Sequence, residues 1–193
     1  MKRPCKEEHL KHLRLVLELL LKEQFHINRE KCQFCMRSIN LQGHVLSADG
    51  VKPNPDKLRI MHEWPVPTAA GGKKELQKFL GLANFFRKFA FRYTETVRPL
   101  QQLIPAHVPW EWGPEQDAAW HAVKRLLTEQ AVLATPNSRD PFHVVVDASD
   151  YAIGGILFQN DKVVAHEGRK LKPPELNYGV GEKEFLAAHY CHT

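Results

Sequence analysis

Two carboxylates in the C-terminal third of the chain stand where a divalent metal would need them. Asp147 ends the apolar run Val144, Val145, Val146 and is followed by Ala148, Ser149, the Gly154–Gly155 pair and a second apolar run, Ile156 to Phe158. Glu184 lies further on in EKEFLAAHY, a segment with helical spacing. A carboxylate on a buried strand facing another on a helix assembles hard oxygen ligands for a divalent ion, and the chemistry it points to is that of phosphodiesters. Each residue also has a plainer reading, Asp147 as the cap of the following turn and Glu184 as a helix-surface residue beside Glu182. Three preceding valines favour the site, because they carry a charged group to the end of a strand expected to be buried. On the helix, Phe185, Leu186 and Ala188 define the expected buried side and Glu184 borders it. Thr193 follows Glu184 by nine residues, so only half of such a site is expected here.

A second constellation is basic. The chain has 193 residues and a formal charge of +5. Between Lys73 and Arg92 stand six basic residues (Lys73, Lys74, Lys78, Arg87, Lys88, Arg92) and one acid, Glu75, so this segment alone matches the whole excess. On a helical wheel with Lys74 at zero, Lys78 falls at about 40°, Phe85 at about 20°, Lys88 at about −40° and Arg92 at about 0°. Leu76, Phe79, Leu80, Ala83, Phe86 and Ala90 take the opposite side. Cations in a row around an exposed aromatic suit a nucleic-acid backbone, the charges neutralising phosphates and the ring packing on sugar or base. A solvated helix face is the plainer alternative.

The elements that must hold these groups follow from periodicity and breakers. Leu10, Leu13, Leu17, Leu20 and Leu21 predict an amphipathic helix over 7–24. Phe25–Phe34 and Ile39–Leu46 read as short strands of a small hairpin, with a turn at Ala48-Asp49-Gly50. Val51–Pro55 reads as a linker, and Asp56 as the N-cap of a helix over 57–63. Pro65 to Gly72 is a break. Helices are then expected over 73–93, 95–103 and, with Pro114 in its first turn, 114–129. A hinge at Pro105–Pro109 marks a boundary near residue 105. Strands are expected at Phe142–Asp147, Ile153–Gln159 and Val163–His166, and a last helix at 181–189.

Several classes lose support. The N-terminal MKRPCKEEHLKHLR has no apolar core or cleavage site, and Leu13–Leu21, broken by Arg14 and Glu18, is too short to span a bilayer. No membrane partner is expected. Four cysteines without a secretory signal suggest free thiols in a reducing, intracellular compartment. Cys32 and Cys35 form a lone CxxC with His44 nearby, short of the four ligands of a structural zinc, and one of the two thiols is expected to be buried. Neither GxSxG nor GxxxxGKS occurs.

Taken in order, the segments LKHLRLVLELLLKEQFHINREKCQF, INLQGHVLSADGV, NPDKLRIMHEWPVP, LQKFLGLANFFRKF, PLQQLI, WEWGPEQDAAWHAVKRLL, DASDYAIGGILFQ and RKLKPPELNYGVGEKEFLAA resemble the Pol polyprotein of gypsy-type long-terminal-repeat retrotransposons over nearly the whole chain. The resemblance implies an α+β chain. Residues 1–64 would be the end of a reverse-transcriptase palm, 65–104 thumb-like helices, and 105–193 a connection helix with the N-terminal half of an RNase H-like domain built on a mixed sheet. Ile39–Leu46 would be the primer-holding hairpin. It implies that Asp147 and Glu184 are catalytic carboxylates holding Mg2+, and that Lys73, Lys74, Lys78, Phe85, Lys88 and Arg92 bind nucleic acid. The implied partners are an RNA–DNA hybrid or template–primer duplex and the remainder of the Pol polyprotein. The polymerase's paired aspartates and the nuclease's later aspartates have no counterpart, so a chain incomplete in catalysis is expected. Its rivals are a non-catalytic nucleic-acid-binding remnant, a nuclease completed in trans and a zinc-stabilised module. Where the family has Ser-Arg-Lys-Leu this chain has Gly168-Arg169-Lys170-Leu171.

Overall fold

The computed structural model describes residues 6–68, 70–129 and 132–192; Cys5 lies outside them. The chain divides into two units at Ile39/Asn40. In the first, α1 (Lys6–Lys22) is built from strong helix formers, with Glu7 and Glu8 in its first turn and Lys22 in its last, where they complement the helix dipole. Its leucines are largely exposed. No strand forms over 25–34. Asn28 instead accepts from the backbone N–H groups of Glu30 (3.1 Å) and Lys31 (3.4 Å), closing a single 3-10 turn at Arg29–Lys31. A local side-chain bond of this kind competes with strand formation. Cys32 is half-buried, its Sγ donating to the Asn28 carbonyl, and Cys35 is exposed, so neither thiol is buried as expected.

The second unit begins within β1 (Ser38–Leu41) and continues through β2 (His44–Ser47) and β3 (Gly50–Pro53), which pair antiparallel from His44↔Pro53 to Ser47↔Gly50. The segment expected as a linker is therefore strand β3. Its partner beyond the hairpin is distant in sequence: Val51 and Leu133 exchange backbone hydrogen bonds of 2.8 and 3.0 Å. Gly50 has φ +132°, and a Cβ there would lie 2.1 Å from the Leu133 carbonyl oxygen, so only glycine fits this crossing. Helix α2 (Pro55–Glu63) is capped by Asn54, whose side chain accepts from the Asp56 N–H at 2.8 Å. Asp56 is thus inside the helix rather than its cap, because Pro55 takes the first helical position.

Helices α3 (Gly72–Phe85), α4 (Tyr93–Thr96), α5 (Arg98–Gln101) and α6 (Pro114–Thr128) share one core with α2. Met61, Leu76, Phe79, Phe86, Val97, Leu100, Trp120, Val123 and Leu127 have no exposed surface. The ring centroids of Phe79 and Trp120 are 3.9 Å apart. This core runs through the hinge near residue 105. Lysines fasten its loops: Lys73 Nζ donates to the carbonyls of Pro105 (2.6 Å) and Val108 (2.5 Å), and Lys124 Nζ to those of His62 (2.9 Å) and Trp64 (2.5 Å).

The expected helix over 73–93 ends early. Phe85 is the last residue of α3, a 3-10 turn follows at Arg87–Phe89, and Arg92 is left-handed at φ 56°. Continued at about 100° per residue, the helix would put Phe89 near 60° and Tyr93 near 100° on the wheel, well off the apolar centre near 170°. Leaving the helix lets both be buried, Phe89 to 2% and Tyr93 to 6% exposure.

The second sheet is β4 (His143–Ala148), β5 (Ala152–Gln159) and β6 (Lys162–Lys170), in that order and antiparallel throughout, so the mixed sheet expected is not seen among the described strands. β4 is an edge strand. Val144 and Val145 are 47% and 55% exposed, which corrects the expectation of a buried strand. Helix α7 (Val180–His192) packs on the face carrying Val146, Ala148 and Ile153 through Leu186 and Ala187. Its inward side is only partly the one expected: Leu186 packs inward, but Phe185 is 75% exposed and Ala188 is exposed, while Lys183 is buried, its Nζ reaching the Asp150 carboxylate at 2.8 Å. A lysine can bury its stem if its ammonium finds such a partner.

A short 3-10 segment, Pro173–Asn177, is pinned by Glu175. Its carboxylate accepts from Arg169 Nη1 (2.6 Å) and Nη2 (3.0 Å) and from the Lys172 N–H (2.7 Å). The Arg169 hydrogen bonds, then that from Lys172, pull its pKa down to about 2. A depressed folded-state pKa contributes stability above the unfolded value near 4.5, lost as pH falls towards 2. Glu175→Gln is therefore expected to be less stable than the parent at pH 6, with the difference shrinking between pH 4.5 and 2; urea unfolding across that range measures it, and a gap independent of pH would remove the Arg169 pairing as its cause.

Candidate functional site

Asp147, Gly154 and Gly168 stand side by side across β4, β5 and β6. Residues directly opposite one another share a face of a sheet, and neighbours along a strand take opposite faces. The Asp147 side chain therefore lies on the face away from α7, and the two glycines leave that face bare beside it. A Cβ at Gly154 would come 3.1 Å from the Glu167 carbonyl and one at Gly168 3.1 Å from that of Ile153. On the other face, a Cβ at Gly155 would meet Cys191 Sγ of α7 at 2.6 Å. The Gly154–Gly155 pair thus admits the helix on one side and keeps a cleft open on the other.

The segment after α3 covers that cleft, which Arg92, Thr94, Asp147, Gly154, His166 and Gly168 line among others. Arg92 dominates it. Its Nε and Nη2 both donate to Asp147 Oδ2, at 2.9 and 2.6 Å, and Glu95 approaches the same guanidinium at 3.9 Å. The hydrogen bonds to Asp147, then its charge and that of Glu95, raise the pKa of the Arg92 guanidinium above its ordinary value. Next to it Arg87 pairs with Glu167 at 3.5 Å. The ring of His166 lies 6.0 Å from that of Phe91, its Nδ1 is buried without a partner among the described residues, and burial lowers its pKa.

Glu184 is exposed on α7, so the partner the structure brings to Asp147 is Arg92 rather than Glu184. No group of three or more His, Cys, Asp or Glu suited to a metal occurs among the described residues. In donor chemistry the two carboxylates fit magnesium, being hard oxygen ligands.

The basic residues separate into distinct environments. Lys74 and Lys78 are exposed on α3. Lys73 is committed to the loop carbonyls described above. Lys88, beyond the helix end, has its Nζ 5.5 Å from the Phe89 ring centroid. Phe85 is 44% exposed, as expected of an aromatic on this face, but its inner side packs on His44 at 4.8 Å between centroids. His44 is buried among Phe85, Phe86 and Phe89, and burial followed by the charge of Lys88 lowers its pKa. Sequence patterning gives no sign of this packing of hairpin on helix. For the Arg92–Asp147 pair there is one sign, the Gly-Gly dipeptide, a mark of close backbone approach.

Comparison with known proteins agrees with this architecture. Residues 112–193 match the model of an RNase H-like domain found in reverse transcriptase. The chain is 35% identical to the retrovirus-related Pol polyprotein from transposon opus of Drosophila melanogaster, aligning 94% of this chain with 19% of that protein. Identity to the Pol polyprotein from transposon gypsy of the same species is 29%, over 93% of this chain and 18% of that one. For the transposon Tf2-3 polyprotein of Schizosaccharomyces pombe the values are 33%, 93% and 14%. The chain thus spans less than a fifth of the length of these relatives. In fold, it superposes on the foamy viral protease-reverse transcriptase solved in complex with RNA/DNA hybrid, with a TM-score of 0.85 and 22% identity, over all of this chain and 26% of that one. With the same enzyme's complex with dsDNA the TM-score is 0.80, at 23% identity, over 96% and 39%. Residues 112–193 are an RNase H-like domain of the reverse-transcriptase kind, and over nearly all its length the chain's homologues are retrotransposon Pol polyproteins.

Proposed function

We propose that the chain is a portion of a retrotransposon reverse transcriptase–RNase H that holds nucleic-acid duplex but does not complete catalysis by itself. In this reading residues 1–64 are the end of the palm, 65–104 the thumb-like helices, and 105–193 the connection helix with the first half of the RNase H-like domain. The observation that carries it is the exposed Lys74–Lys78 face of α3, with Phe85 at its end, in a chain related to Pol polyproteins along nearly its whole length. The relative of like fold was solved on an RNA/DNA hybrid, and an RNA–DNA hybrid or template–primer duplex is the partner we assign. Lysines on such a face touch phosphates and set register rather than read bases.

The carboxylates we assign to magnesium are Asp147 and Glu184. When bound, the ion would activate water and stabilise the leaving oxygen of a phosphodiester. Two carboxylates supply fewer ligands than two-metal catalysis uses, hence binding without turnover.

The test is titration of the 193-residue chain against a labelled RNA–DNA hybrid, with cleavage followed in magnesium beside Asp147→Asn. Salt-sensitive binding without cleavage is expected. Cleavage that disappears in Asp147→Asn would overturn the non-catalytic reading in favour of a nuclease completed by a second copy, and absence of binding would sink the nucleic-acid reading altogether.

A further inference from the structure

We propose that Arg92 is an exchangeable counter-ion: it holds the Asp147 carboxylate in the absence of nucleic acid, and a duplex phosphate that draws it off frees that carboxylate for a divalent cation. The duplex arm of this inference rests on the function proposed above; the ion pair itself does not.

Both donors of the guanidinium edge, Nε and Nη2, converge on one oxygen, Asp147 Oδ2. Glu95 Oε2 approaches Nε of the same guanidinium at 3.9 Å. One positive group therefore balances two carboxylates, and its departure leaves both facing a gap. Gly154 and Gly168, at the neighbouring strand positions on the same face, bring no side chain of their own to that gap. The backbone adds a second, independent sign. Arg92 sits at φ 56°, ψ 24°, a conformation that glycine or asparagine adopts far more readily than arginine. The position is thus occupied by a residue unsuited to its backbone whose guanidinium sits on the Asp147 carboxylate.

Arg92 is also well placed to leave. Its side chain is 56% exposed and that of Asp147 36%, and solvent-facing pairs of this kind are weak and screened by salt. A phosphate can take a guanidinium through two of its oxygens, as a carboxylate can. Arg92 follows Lys88 in the segment that continues from the basic helix, so a duplex lying on that helix has its phosphates on the same stretch of chain. Because coupling between two ligands is reciprocal, duplex should raise cation affinity and cation should raise duplex affinity by the same factor.

The measurement is manganese binding by electron paramagnetic resonance on the full 193-residue chain. It compares the parent, Arg92→Asn and the Arg92→Asn/Asp147→Asn double variant, first alone and then with a short DNA duplex. Asparagine suits the left-handed backbone, so Arg92→Asn removes the cation without disturbing the turn, which circular dichroism verifies; Arg92→Lys, charged but without the planar fork, is a second variant expected to fall between. Arg92→Asn should bind manganese about threefold or more tighter than the parent, on the scale of an exposed ion pair removed, and the gain should vanish in the double variant. Duplex should tighten manganese in the parent and leave Arg92→Asn unchanged, with Asp147→Asn alongside to subtract ions held by the duplex itself. Equal manganese affinity in parent and Arg92→Asn, including none in either, overturns the proposal, as does an equal effect of duplex on both. Normal salt-sensitive duplex binding with no manganese gain removes the counter-ion role alone. Loss of duplex binding removes the nucleic-acid reading and with it the exchange, but not a manganese gain measured without duplex.

Discussion

Trp120→Ala should lower the unfolding free energy by about 3–5 kcal/mol, the range for truncating a large buried aromatic. Trp120 has no exposed surface and touches residues from several elements at once. Its ring is 3.9 Å from that of Phe79 on α3 and 5.7 Å from that of Trp112 before α6, and Lys124 Nζ lies 5.2 Å above it. Removing the indole opens a cavity between α3 and α6 and uncovers Lys124, which fastens the end of α2 and whose pKa burial now lowers. Domains of ordinary stability have only about 5–15 kcal/mol to lose, so the variant should be close to unfolding at 37 °C. Urea unfolding followed by circular dichroism is the suitable measurement, because the substitution itself alters tryptophan fluorescence. A loss below about 1 kcal/mol would mean that the helices collapse onto the vacated space, and the single-core description would fail. Phe79→Ala should cost a similar amount, and the double variant less than the sum, since touching rings do not contribute independently.

The legible parts of this fold are those decided by short-range rules. Pro114 in a first turn and apolar residues at Trp120, Val123 and Leu127 specify α6 almost to the residue. The strands β4 and β5 follow from apolar runs bounded by turn residues. The illegible parts are those decided by distant partners. β3 contains Val51-Lys52-Pro53, which locally reads as linker, and it becomes a strand through β2 and Leu133. The end of α3 carries no breaker at all; Phe89 and Tyr93 reach the core only if the chain stops being helical, a condition no wheel displays. At the candidate site, Asp147 is recognisable by type and place, while its actual partner, Arg92, falls among the lysines on any wheel carried past the helix end. The inward turn of Lys183 is hidden for a related reason. A buried lysine is invisible to hydrophobic patterning, and Asp150, which receives it, lies in the distant turn between β4 and β5.

Reversing Lys74 and Lys78 together to glutamate should weaken duplex binding about tenfold or more near 0.1 M salt and make the dependence of log affinity on log salt shallower by about 2, one unit for each phosphate no longer neutralised. Both side chains are exposed on α3, so reversal leaves the core untouched and the fold should persist by circular dichroism. The slope carries more information than the affinity. A general charge effect would shift binding without regard to position, whereas removing lysine–phosphate pairs reduces the number of counterions released. Lys73 provides the internal contrast: one residue from Lys74, its ammonium is spent on the carbonyls of Pro105 and Val108. Lys73→Gln should therefore loosen the loop after α5 and lower stability while leaving the salt slope as it was. If Lys73→Gln and the Lys74/Lys78 reversal change the slope alike, the duplex senses only net charge and α3 has no tracking face. If neither changes it, the phosphates are held elsewhere on the chain, and the exchange at Arg92 loses the neighbouring surface that would deliver a phosphate to it.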